Sequence, residues 1–241
     1  MKETLNEIKK LLDDKDLPRT TKSILHFTKE ELENQIYCQE HKDENLKKAL
    51  QMSKDIKNIQ FGCGNHHLKD YINVDIIMPA DVIWDIRENV PFEDNSINKI
   101  FSEHMLEHID YPISVNNFLS ECYRILKDGG EFIVGIPDCS FPLEDIQNNS
   151  NENLKKAIEE WYKKREDVTD NMKNSIDYLN YVMRDQLFHE KYHAHFWGYT
   201  YENLSQLLEK HGFKNIEVWN VDMNIINPKR LWGTLYIRGT K

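Results

Sequence analysis

The chain has 241 residues, 39% hydrophobic, 30% charged and 11% aromatic, which suits one α/β domain with decorations around a substantial core. Its formal net charge of −10 repels phosphate backbones and excludes nucleic acid as a general partner, since clusters such as Lys163-Lys164-Arg165 are short. No apolar run approaches the roughly 20 residues of a bilayer span, and Met1 to Asp16 lacks the apolar stretch of a secretory signal, so a cytoplasmic location without a membrane partner is expected.

Residues 1–53 read as an N-terminal helical cap. Leu5, Ile8, Leu11 and Leu12 share one helical face, Pro18 interrupts it, and Leu32, Ile36, Leu46 and Leu50 continue the pattern among charges. Residues 54–139 then alternate short strands with polar turns: Asn58 to Phe61, Tyr71 to Val74, Asp81 to Trp84 and Ile97 to Phe101. Phe118 to Leu126 has helical spacing and is expected to stop at Asp128-Gly129-Gly130. Glu131 to Ile136 is a further, β-branched strand. Residues 140–196 form a polar, helix-rich insertion, expected to cap an acceptor pocket. Residues 197–241 return to the core with a helix, Thr200 to His211, and two strands, Lys214 to Val221 and Leu231 to Arg238, read as an antiparallel pair. Such alternation implies a mostly parallel sheet with helices on both faces.

The chemistry is sought at the strand ends, where open α/β sheets hold their ligands. Gly62-Cys63-Gly64 follows the first strand directly, and glycine permits both the bend and a close backbone approach. A dinucleotide fingerprint would need a third glycine where His67 stands, so G-x-G-x-x-G fails. Asp75 ends the next strand, where a carboxylate can accept from two ribose hydroxyls, and Asp85-Ile86 ends the third. Each acid alone would serve as a strand-end cap; the succession Gly, Asp, Asp is what points to a nucleotide-type cofactor.

Histidines supply the remaining reactive groups. His104-Met105-Leu106-Glu107-His108 fits the inverted zinc-protease pattern H-x-x-E-H, but it follows a strand rather than lying within a helix in that pattern's usual context. His189, Glu190, His193 and His195 crowd one short stretch and remain open between a base cluster, a divalent-metal site and a polar pocket cap. The four cysteines show no metal-binding spacing, and no metal is assigned. Trp161-Tyr162, Tyr178, Tyr181 and Phe196-Trp197 read as core of the insertion, with an aromatic wall around a cation as the alternative.

The stretches IQFGCG, YINVD, DVIWDI, VPFEDNSINKIFSEHMLEHI and ECYRILKDGGEFIVGIPD together resemble the type 11 group of the class I S-adenosylmethionine (SAM)-dependent methyltransferases. The resemblance implies a Rossmann-like seven-stranded sheet with a reversed C-terminal hairpin, and SAM as cofactor. Transferred residue by residue, it implies cofactor contacts from Phe61, Gly62, Cys63, Gly64, Asp75, Ile76, Asp85, Ile86, Glu103 and His104. His104, Asp138, His193 and His195 are then the candidates for orienting or deprotonating an acceptor. The expected activity is methyl transfer to a small polar metabolite or sugar-type acceptor, with oxygen favoured and a homodimer as the candidate assembly. A nicotinamide-dependent oxidoreductase and a non-catalytic SAM-binding protein are the rival readings.

Overall fold

A computed structural model describes residues 1–163, 165–184 and 195–241. Three helices come first: α1 (Lys2–Leu12), α2 (Arg19–Glu40) and α3 (Lys42–Asp55). The sheet is built from β1 (Asn58–Phe61), β2 (Ile72–Asp75), β3 (Val82–Ile83), β4 (Ile97–Glu103), β5 (Leu126–Pro137), β6 (Lys214–Val218) and β7 (Thr234–Thr240). Between them lie α4 (Ile113–Ile125), α5 (Ser140–Asn148), α6 (Glu152–Ala157), α7 (Glu166–Thr169), α8 (Ser175–Arg184) and α9 (Tyr201–Lys210).

The strand order is β3-β2-β1-β4-β5-β7-β6. β7 runs antiparallel to both β5 and β6, while the pairs among β1 to β5 are parallel. This is the seven-stranded, Rossmann-like sheet with a reversed C-terminal pair that the strand spacing and the resemblance led one to expect. Order reverses between β1 and β4, so a crevice opens there at the carboxyl ends of the strands.

Central strands are covered on both faces and therefore read as continuous apolar runs. On one side Ile59, Phe61, Ile100, Phe132 and Val134 pack with Phe118 and Leu119 of α4, all fully buried. Phe61 meets Phe118 edge-on at 5.3 Å between ring centroids. Each such buried side chain contributes roughly 1.5–3 kcal/mol relative to exposure. The opposite face is closed by Phe101, Ile133, Tyr236 and Ile226. Residues of the insertion gather their own smaller apolar cluster, with Cys139, Leu154, Val168, Tyr178 and Val182 buried.

Three boundaries differ from the sequence reading. Helix α4 ends at Ile125 rather than at the Asp128-Gly129-Gly130 turn. The carbonyls of Arg124 and Ile125 are taken by the amides of Asn95 and Ser96, so the helix end is satisfied early. Leu126 turns extended, pairs with Ile97 and is fully buried; Gly129 instead makes a turn that bonds Lys241. Strand β3 spans only Val82–Ile83 rather than Asp81 to Trp84; it is the edge of the sheet, and on its outer side the Ile83 amide donates to the Asn45 side chain of α3 (2.8 Å). At the far end the last two strands are Lys214–Val218 and Thr234–Thr240, and the exposed edge of β6 carries Lys214 and Glu217, charges that discourage further strand pairing.

Candidate active site

The glycine turn closes over β2 through its backbone. The amides of Gly62 (2.9 Å) and Cys63 (3.3 Å) both donate to the Val74 carbonyl. The Gly64 amide donates to Asp75 Oδ2 at 2.8 Å. Asp75 Oδ1 accepts from Ile76 (2.7 Å) and Ile77 (3.2 Å), so three amides hold this carboxylate in place at the end of its strand. Gly62 and Gly64 have φ of 70° and 49°, in the left-handed region that other residues avoid. A Cβ on Gly62 would lie 2.5 Å from Met105, whereas one on Gly64 would meet nothing within 4 Å. Gly62 therefore serves packing against the turn after β4, and Gly64 leaves open space for a ligand. Cys63 is buried, and burial, with Asp75 and Asp81 nearby, pushes its thiol up to about 12.

Asp85 is engaged within the protein. Its Oδ1 and Oδ2 receive the Arg87 guanidinium at 2.8 and 2.7 Å, and Oδ1 also accepts the Arg87 amide at 3.0 Å. Arg87 reaches in turn to Glu31 of α2. Beside Asp85, an open cleft of about 130 Å³ is lined by Trp84, Glu88 and Lys42 with Gln35 and Cys38 of α2. Ile86 is buried in the main core.

Glu103 is 4% exposed and faces β7. Tyr236 donates its hydroxyl to Glu103 Oε1 at 2.6 Å, and the Asn227 amide donates at 3.2 Å. Tyr236 meets Glu103 only through the fold and leaves no trace in motif spacing, whereas Arg87 stands two residues after Asp85, and that nearness in sequence is the signal for the pair. His104 has φ of 52°, and its amide extends the ladder to the Gly135 carbonyl. His104 Nε2 lies 2.7 Å from the Thr234 hydroxyl, whose own hydrogen goes to the Arg230 carbonyl. Nε2 is therefore the protonated nitrogen and Nδ1 keeps its lone pair, directed toward Glu107 Oε1 at 3.5 Å. Burial, with Arg230, His195 and His108 adding to it, lowers the His104 pKa well below the usual imidazole value.

His195, distant in sequence, arrives beside this turn. The Phe196 amide donates to the Glu107 carbonyl at 2.7 Å, pinning the returning chain there. The rings of His108 and His195 then stand 4.8 Å apart, edge to face. His195 is buried and its Nδ1 donates to the Val182 carbonyl at 2.6 Å. Burial lowers its pKa despite that carbonyl. Glu107 is 1% exposed, and burial pushes its carboxyl up to about 8. Sequence analysis singled out the H-x-x-E-H segment but not its union with His195. The Asp138 carboxylate accepts the Ser140 amide at 2.9 Å at the start of α5. His193, like His189, lies outside the described residues.

Residues 27–134 match the family model of the methyltransferase domain. No curated protein sequence gives a significant match. Among solved structures, a SAM-dependent methyltransferase from Thermotoga maritima is 19% identical over 86% of this chain and 96% of its own, with a TM-score of 0.41. One from Archaeoglobus fulgidus is 15% identical over 86% and 94%, with a TM-score of 0.45. A Haemonchus contortus phosphoethanolamine N-methyltransferase, in complex with SAM, is 14% identical over 76% of this chain and 48% of its own, with a TM-score of 0.38.

Proposed function

We propose that this chain, a class I SAM-dependent methyltransferase with SAM as its methyl donor, transfers the methyl group to a hydroxyl of a small polar or sugar-type acceptor. Bound SAM supplies an electrophilic methyl on a sulfonium, and the protein's task is to hold an acceptor lone pair in line with it. Gly62, Cys63 and Gly64 with Asp75 and Ile76 would hold the ribose and methionine portion, with Phe61 beneath them. The observation that carries this placement is the Asp75 carboxylate, fixed by Gly64, Ile76 and Ile77 beside the open side of Gly64. Asp85 and Ile86 would meet adenine. The adenine amino group would then share Asp85 with Arg87, which already occupies both carboxylate oxygens.

Met105 packs on Gly62, so the turn that carries His104 borders the methyl end of such a ligand. A neutral His104 imidazole suits a hydroxyl acceptor, whose hydrogen it can accept as the new bond forms. His193, His195 and Asp138 complete the candidate set on the insertion side. The helical insertion (140–196) and the first helices (1–53) are read as the cap that closes over the acceptor. Phe27 of α2 supports this by meeting Phe196 of the return segment at 6.0 Å.

The decisive measurement is S-adenosylhomocysteine release over a panel of sugars, polyols, amines and carbon acids, with the methylated atom located by NMR. A methyl ether product, with the rate lowered by His104→Ala, is the expected result. An N-methyl or C-methyl product would overturn the oxygen assignment. Binding of SAM with no turnover on any acceptor would favour the non-catalytic reading.

A further inference from the structure

Among the described residues, one group of side chains has donor atoms converging as a metal site does: Glu107, His108 and His195, with their ligand atoms all within 4.8 Å of one another. Glu107 is the informative member. Its carboxylate is almost fully buried, yet neither oxygen accepts a hydrogen bond from a described residue. A buried carboxylate ordinarily gathers two or three donors, and one left without them is destabilising unless something else neutralises it. What surrounds it instead are imidazoles: His104 Nδ1 at 3.5 Å and His108 Nε2 at 3.9 Å, with the His195 ring beyond His108. Such spacing is long for direct hydrogen bonds but natural for donors arranged around a shared cation.

The surroundings of His195 suit the same role. Its Nδ1–H is spent on the Val182 carbonyl, so Nε2 is the nitrogen with a lone pair. A backbone acceptor on the far nitrogen is the usual support of a metal-bound imidazole, because it fixes both tautomer and ring orientation. The frame is rigid: the Phe196 amide is bonded to the carbonyl of Glu107 itself, tying the two ends of the site together. His108, with its side chain 24% exposed, leaves a path from solvent.

The geometry points to a binding site for one divalent first-row transition ion, held by Glu107, His108 and His195. Two imidazoles and one carboxylate favour zinc, manganese, iron or cobalt over magnesium and calcium, which prefer all-oxygen shells. Three protein donors leave coordination positions open, as in catalytic rather than structural sites. Donors around such an ion stand about 2.0–2.2 Å from it, so the three side chains need only close inward slightly. That an open position receives an acceptor oxygen rests on the methyl-transfer reading, whereas the binding of the ion does not.

The test uses the full chain, free of any affinity tag, stripped with chelator and titrated with Co²⁺ and Zn²⁺ in the absence of SAM and acceptor. One equivalent is expected to bind with micromolar or tighter affinity by calorimetry, to raise the melting temperature, and to give visible Co²⁺ ligand-field bands that excess Mg²⁺ does not abolish. Glu107→Gln and His108→Ala should each weaken binding roughly 100-fold, while His41→Ala, at the junction of α2 and α3, should bind as the parent does. Should a variant fail to fold, the Co²⁺ spectrum of the parent chain still decides. No stoichiometric binding to the parent, or binding left undiminished by Glu107→Gln, overturns the site. Because methyl transfer is assayed separately, failure of either conclusion is visible without the other.

Discussion

Replacing Gly62 by alanine isolates what the glycine turn contributes to packing. The residue sits at φ 70°, and the new methyl would lie 2.5 Å from both Cβ and Cγ of Met105. A left-handed backbone costs a non-glycine residue roughly 1–2 kcal/mol. Forcing a methyl into a filled space adds about 1–3 kcal/mol, and the near atom is Met105 Cβ, which cannot move without its backbone. A total near 2–5 kcal/mol should lower the melting temperature of a chain this size by roughly 4–20 °C. Gly64→Ala is the internal control. Its φ is 49° but nothing lies within 4 Å of the added carbon, so only the backbone term of about 1–2 kcal/mol applies. The comparison is made by calorimetric melting of both variants without ligand, followed by S-adenosylhomocysteine titration of each. Gly62→Ala should melt well below Gly64→Ala, whereas Gly64→Ala should lose more cofactor affinity than its small loss of stability accounts for. Equal melting temperatures would refute the argument, since they would mean that the contact with Met105 yields at no cost.

Asp75→Asn keeps the shape of the side chain but removes its charge and turns an NH₂ group toward one of the amides it now binds. Charged hydrogen bonds are worth about 1.5–3 kcal/mol, so S-adenosylhomocysteine affinity should fall roughly 10- to 100-fold; an unchanged dissociation constant by calorimetry would remove Asp75 from the cofactor site. The cysteines offer a test of burial. Desolvation raises the thiols of Cys63 and Cys139 to about 12, and raises that of Cys122 as well. A raised pKa means that the reactive thiolate is scarce at any pH below it and grows only as pH climbs toward it. At pH 8 the native chain should therefore alkylate these three far more slowly than the denatured chain, by peptide mass spectrometry, and fast native labelling of Cys63 would contradict its packing.

The sheet was legible in the sequence because each central strand is a short apolar run closed by a residue of another kind: Gly62 directly after Phe61, Asp75 as the last residue of β2, Pro137 as the last of β5. Its boundaries were less so where a tertiary partner outbids the local signal. Gly129 announces a helix end, but Asn95 and Ser96 take the α4 carbonyls first, and burial of Leu126 draws the chain into β5 before the glycine is reached. The candidate site divides along the same line. Gly64 and Asp75 belong to adjacent units of one parallel sheet, so local spacing brings them together at 2.8 Å. Asp85 and Glu103 carry their motif positions plainly; Arg87, two residues on, is a partner for Asp85 that the sequence itself offers, whereas nothing in the spacing announces Tyr236 beside Glu103. The histidines show the limit most clearly. His108 and His195 share a wall only because the insertion returns along β5, where Asp138 pairs with Tyr199 and the Phe196 amide finds the Glu107 carbonyl. The H-x-x-E-H spacing names His104, Glu107 and His108 but supplies no further donor; the chain's return sets His195 against Glu107 and His108. That return is what makes a three-donor cluster of the segment, and it is why titration with metal alone asks more of this site than another survey of its motif would.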